Sequence, residues 1–124
     1  MSFKTVLLVK PVGKGRPRFG KGRTYTDEKT VSAEAEIRFL LRADKAPKLD
    51  GPVYMSVAIY LKRPKSIPKS RVFPCVRPDL DNYLKLILDA GNGLLFDDDA
   101  QVVSATVSKF YGAPERIELI VESA

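Results

Sequence analysis

The sequence predicts a small α+β domain, a mixed or antiparallel sheet of about four strands carrying two helices. Three observations predict it. Val53, Met55, Val57, Ile59 and Leu61 alternate with Tyr54, Ser56, Ala58 and Tyr60, the period of two expected of a strand with one strongly buried face. Leu80, Tyr83, Leu84, Ile87 and Leu88 recur at the spacing of an amphipathic helix. The length of 124 residues fits one domain, residues 1–124, and leaves no room for a second independent core.

In chain order, residues 3–9 are rich in β-formers and stop near Pro11, which predicts a first strand. A basic loop follows, in which Gly13, Gly15, Gly20 and Gly22 punctuate Lys10, Lys14, Arg16, Arg18, Lys21 and Arg23. Such a stretch exposes backbone N–H groups and cations and supports little core. From Asp27 to Ala43 the acids come first and Arg38 and Arg42 last, matching a helix dipole, with Ile37, Leu40 and Leu41 as the apolar face. The alternating strand covers 53–61. Residues 62–78 hold six Lys or Arg among Pro64, Pro68, Pro74 and Pro78, a pattern neither a helix nor a central strand tolerates, so a basic loop ordered by a ligand is expected there. The second helix runs from Leu80 to Ala90 and is stopped by Gly91-Asn92-Gly93. Residues 102–110 and 116–122 read as two further strands, joined as a hairpin through Gly112-Ala113-Pro114.

Charge is segregated. Residues 1–26 hold seven Lys or Arg and no acid, residues 51–78 hold six and no acid, and residues 79–124 hold three bases against nine acids. A net charge of +6 suits a polyanionic partner, because a basic surface attracts phosphates and releases their counterions. Clustered carboxylates repel one another and the same phosphates unless a cation bridges them. The two patterns together point to a divalent cation between protein and nucleic acid.

Other chemistry is excluded. There is no histidine, so Ser-His-Asp and Cys-His nucleophile systems and histidine-bound zinc are ruled out. Cys75 is the only cysteine, which excludes an internal disulfide. Without an apolar segment after Met1 or an apolar run near ~20 residues, the reading is a soluble cytoplasmic protein with no membrane partner.

The acids fall in two places. Asp81, Lys85 and Asp89 share one face of the second helix, opposite its apolar stripe, while Asp79 stands at the first turn, where its carboxylate either caps the helix or joins Asp81 in holding a cation. Asp97, Asp98 and Asp99 precede the strand that begins at Val102. They converge on Asp79 and Asp81 if that strand starts beside the helix N-terminus. An EF-hand register is absent from both acidic stretches.

These residues in combination resemble the RusA-type Holliday junction resolvases of bacteria and their phages. The matching segments are Arg77-Pro-Asp-Leu-Asp-Asn82, Lys85, Asp89-Ala90, Asn92-Gly93 and Asp98-Asp-Ala-Gln-Val-Val103, and the run Lys14-Gly-Arg-Pro-Arg-Phe19 with Arg23-Thr-Tyr-Thr26 is similar to phage-type members. Two departures stand out: Gly91 replaces an apolar residue usual in the family, and Asp97 adds an acid beside the usual pair. The resemblance implies a homodimer with C2 symmetry that uses Mg²⁺, with Mn²⁺ as a substitute, to nick four-way junction DNA in symmetric pairs. It further implies that Asp79, Asp81 and Asp99 are metal-site carboxylates, with Asp98 a further candidate, and that Lys85 is the catalytic lysine. Lys14, Arg16, Arg18, Arg23, Lys69 and Arg71 are the expected DNA contacts.

Plainer readings stand beside these. Asp79 as a helix cap, Lys85 as a solvated bridge to Asp81 or Asp89, and Phe73 as either a wedge into DNA or loop packing are each open to a structural test. The rival function is a non-catalytic, structure-selective DNA-binding protein; a hydrolase of small phosphoesters leaves the two basic loops without a purpose.

Overall fold

The computed structural model describes residues 1–14, 18–20, 23–25 and 28–124, with the backbone alone for 18–20 and 23–25. Its elements are β1 (Ser2–Leu7), β2 (Arg18–Gly20), β3 (Arg23–Tyr25), α1 (Glu28–Ala43), β4 (Val53–Leu61), α2 (Leu80–Gly91), a 3-10 turn (Asp99–Gln101), β5 (Val102–Tyr111) and β6 (Arg116–Ser123). The predicted α+β class holds, and the main sheet is mixed. Its order is β1-β6-β4-β5, with β4 antiparallel to β6 and parallel to β5. The short β2–β3 antiparallel pair was not predicted: it lies inside the glycine-rich basic loop, where no apolar alternation announces a strand. Asp27, expected to start the first helix, lies outside the described residues.

The expected hairpin between the last two strands is not formed. β4 lies between them and pairs with both, so residues 112–115 pass over the end of β4 instead of making a tight turn. Gly112 marks the crossing, its N–H bonding to the Leu61 carbonyl at 3.0 Å. The reason is burial. Val53, Met55, Val57 and Ile59 are all buried, and a strand with so apolar a face gains most by having neighbours on both edges.

One sheet face is covered. Leu7, Met55, Val57, Ile59, Leu119 and Val121 meet Ile37 and Leu41 of α1 and Tyr83, Leu86, Ile87 and Ala90 of α2 in a single core. The α2 stripe is rotated from expectation: Leu86 and Ala90 are buried, whereas Leu80 is 43% exposed. The sequences 80, 84, 88 and 83, 86, 87, 90 both satisfy helical spacing, and packing against α1 and the sheet selects the second. α2 runs one residue past the predicted end. A Cβ on Gly91 would stand 2.9 Å from Leu95 Cδ1, so glycine lets the chain fold back through Leu95 and Phe96 without moving the Leu95 side chain.

Candidate nuclease site

The N-terminal end of α2 carries the first group of acids. Asp79 is the N-cap, with extended backbone (φ −71, ψ 158), but its carboxylate makes no capping hydrogen bond. Its carbonyl accepts from the Asn82 and Tyr83 N–H groups instead. Asp79, Asp81 and Lys85 are exposed, and none makes a side-chain hydrogen bond or ion pair with another described residue. The bridge from Lys85 to Asp81 or Asp89 is therefore absent among the described residues. Asp81 sits in the first turn, where the helix dipole favours its charge.

The first basic loop is laid against this end of the helix. A Cβ on Gly13 would fall 2.6 Å from Pro78 Cβ, so only glycine permits the approach. The Lys14 N–H donates to the Asn82 carbonyl at 2.9 Å. The Lys14 ammonium turns inward, 2.6 Å from Glu34 and 2.9 Å from Asp89. Burial lowers its pKa, but the hydrogen bonds and charges of Glu34 and Asp89 outweigh burial and hold it above the usual 10.5. Lys14, expected on DNA, has its charge already paired and ties α1 to α2; Asp89 is consumed in the same pair. Arg16 lies outside the described residues, as do the side chains of Arg18 and Arg23.

The second basic loop has more structure than expected. The Ile67 N–H donates to the Pro64 carbonyl and the Arg71 N–H to the Pro68 carbonyl, closing two turns. The Tyr111 N–H donates to the Val72 carbonyl at 2.8 Å, Arg63 Nη2 donates to the Arg71 carbonyl at 2.7 Å, and Phe73 packs on Phe110 with ring centroids 5.6 Å apart. Phe73 still exposes 59% of its surface. Lys69 and Arg71 are exposed near the tip. Nearer the site, Lys109 Nζ on β5 donates to the Val76 and Pro78 carbonyls at 2.8 and 3.2 Å, fixing the segment that presents Asp79. Sequence reasoning missed Lys109, because an isolated lysine in a strand gives no signal until the strand's neighbours are known.

The second acidic group stands at the other end of α2. Asp99 N–H donates to Asn92 Oδ1 at 2.9 Å, and Asn92 is the C-cap of the helix. At ~1.5 Å per residue the 12 residues of α2 span about 18 Å. β5 starts beside the helix C-terminus and reaches the N-terminus only at Lys109, so the convergence conditional on the opposite arrangement does not occur within one chain. Among the described residues no group of three acids or cysteines is placed to hold a metal ion.

Within the triplet the three carboxylates have different surroundings. Asp97 pairs with Lys48 at 2.5 Å. Asp98 caps the 3-10 turn, accepting from the Ala100 N–H at 2.9 Å. Asp99 is half-buried and its carboxylate has no partner among the described residues. Gln101 shapes the turn: Oε1 accepts from the Asp97 and Asp98 N–H groups at 2.9 and 3.2 Å, and Nε2 donates to the Leu49 and Gly51 carbonyls at 3.0 Å each. Arg38 Nη1 holds the carbonyls of Ala90 and Asn92.

Asp79 and Asp81 are left open among the described residues. Mg²⁺ commonly takes one or two carboxylates and completes its shell with water and substrate phosphate, so carboxylates without a protein partner are the kind of group such an ion could use. Among the described residues no cage of three protein carboxylates is formed.

Two comparisons with known proteins bear on the chain as a whole. The family model described as Endodeoxyribonuclease RusA matches residues 9–122. The uncharacterized protein YqaN of Bacillus subtilis (strain 168) is 34% identical over 134 aligned positions, covering 96% of this chain and 94% of its own length.

Proposed function

The chain belongs to the RusA endodeoxyribonuclease family, and on that premise we propose that it resolves four-way DNA junctions as a Mg²⁺-dependent nuclease. The observation that carries this reading is the pair Asp79 and Asp81 with Lys85, all exposed and uncommitted among the described residues, at a helix end flanked by both basic loops. Asp79 and Asp81 would hold the cation, with Mn²⁺ as a substitute for Mg²⁺. A bound divalent cation supplies charge neutralisation at the scissile phosphate and lowers the pKa of water.

The chain's own groups do the rest. Lys85 stands one turn beyond Asp81, about 6 Å along the axis, and directs its ammonium at phosphate oxygens as their charge grows in the displacement. Lys109 holds the Val76 and Pro78 carbonyls and so fixes the approach of Asp79. Asp99 enters as a separate carboxylate, about a helix length away, whose role is read by its own substitution. The reading includes a C2 homodimer, since two sites related by a two-fold match a junction of the same symmetry, and a cytoplasmic location. No helix among the described residues is long and apolar enough to cross a membrane.

The test is cleavage of a labelled synthetic four-way junction and of its linear duplex arms, with and without Mg²⁺, by wild type and Asp81→Asn. Paired nicks in the junction alone, dependent on Mg²⁺ and lost in the variant, are expected. Tight junction binding without cleavage in any divalent metal would move the protein to the binding-module reading.

A further inference from the structure

Sequence reasoning placed DNA on the glycine-rich loop and on Lys69 and Arg71, but the described residues hold a further grouping of cations elsewhere. A cleft of about 540 Å³ opens between the end of β1 and the end of β4, lined by Lys10, Lys62, Arg63, Lys65 and Arg77. Pro78, the residue before Asp79, forms part of its wall, and Tyr83 and Glu115 complete it. Five cations therefore face one acid. None of the five forms an ion pair with another described residue.

Two further observations indicate an anionic occupant. The Nε–H of Arg63 is buried and has no hydrogen-bond partner among the described residues, an arrangement that is unfavourable unless an acceptor reaches it. The other end of the same guanidinium is fixed, with Nη2 on the Arg71 carbonyl and the group 5.4 Å from the Tyr111 ring centroid. Lys109 fixes the opposite wall through the Val76 and Pro78 carbonyls. The cleft is thus built on anchored backbone, and like charges gathered in it repel until an anion enters.

The geometry points to this cleft as a seat for the DNA phosphodiester backbone, holding phosphates next to the one that faces Asp79 and Asp81. Lys10, Lys62, Lys65 and Arg77 contact the phosphate oxygens, and Arg63 shapes the cleft and adds its charge. The assignment deepens the nuclease reading and rests on it for the identity of the polyanion. It predicts a register role: the cleft sets which phosphate reaches the carboxylates, since phosphate contacts position a protein on DNA without reading sequence.

The experiment measures junction affinity without divalent cation from 50 to 200 mM salt for wild type, Lys62→Gln/Lys65→Gln, and a control of equal charge change, Lys4→Gln/Lys45→Gln. Lys4 and Lys45 are exposed and outside the cleft. Circular dichroism checks that each variant is folded. The cleft pair should bind ~10-fold more weakly, with a log affinity against log salt slope shallower by about 1.8, the value for two lost phosphate contacts. The control should change affinity less than about twofold, as expected of charges outside the contact. Equal weakening in both pairs, or no change in either, would overturn the assignment. The outcome is separable from the nuclease reading: a wild type that never nicks a junction removes that reading, while the affinities still decide the cleft.

Discussion

The two ends of α2 carry acids equally conspicuous in the sequence and use them differently. At the N-terminal end Asp79 leaves the cap unmade and Asp81 has no partner among the described residues. At the C-terminal end the N–H groups of Asp97, Asp98, Asp99 and Ala100 are each taken by a side chain, from Gln101, Asn92 or Asp98 itself. One end leaves its carboxylates without a partner among the described residues; the other uses most of its polar atoms to fix its own shape and presents one carboxylate. Counting hydrogen bonds separates acids that composition cannot.

The sharpest way to break this contrast is to neutralise acids one at a time. Asp81→Asn should lower the single-turnover rate of junction cleavage by about 10²–10³-fold, the scale of losing one charge-stabilising group, with junction affinity kept. Asp98→Asn should stay within about threefold of wild type, because asparagine caps a helix as well as aspartate. Equal losses in the two variants would show that the triplet acts as a ligand cluster and would remove the contrast.

Next in size is the clamp on the acidic turn. Gln101→Ala removes four hydrogen bonds and leaves the Leu49 and Gly51 carbonyls without that donor. It should cost about 1–3 kcal/mol in urea unfolding. An unchanged midpoint would mean that the turn holds its shape without the amide.

Much of this was legible in the sequence, for physical reasons. β4 and α2 were clear because burial imposes periods of two and 3.6 on their side chains. The sheet order was not: the pairing of β4 with both β5 and β6 depends on which strand competes best for the centre, and a glycine and a proline between two strands look alike in a hairpin and in a crossing over a third strand. The separation of Asp99 from Asp79 follows from that missed order. The ion pairs of Lys14 were hidden for a related reason. No acid stands in its own segment, residues 1–26, and the acids that claim it, Glu34 and Asp89, come from elements 20 and 75 positions away.

The Lys14 tether gives a smaller and pH-dependent effect. Its pKa is raised in the folded chain, so its contribution is complete below 10.5 and is lost as pH rises through the folded value. Tyr83 behaves alike: burial first, and then the charge of Glu115, push its phenol up from 10.0 to about 12. Stability should thus be level from pH 7 to 9 and fall between pH 10 and 12. Lys14→Met should lose about 1–2 kcal/mol at neutral pH and show a shallower alkaline fall. A variant with the wild-type alkaline slope would show that the ammonium does not join the two helices.

The smallest effect tests the idle member of the triplet. Asp97 exposes 72% of its side chain and its partner Lys48 exposes 48%, so the pair is well hydrated and screened by salt. The backbone N–H of Asp97, not its carboxylate, is the part held by Gln101. Asp97→Asn keeps that N–H and should change unfolding free energy by less than about 0.5 kcal/mol and the cleavage rate by less than twofold. A loss of activity with stability intact would mean that the extra acid beside the family's usual pair has been recruited to the site. The contrast between the helix ends would then move inside the triplet, from Asp99 alone to Asp97 and Asp99 on either side of a capping Asp98.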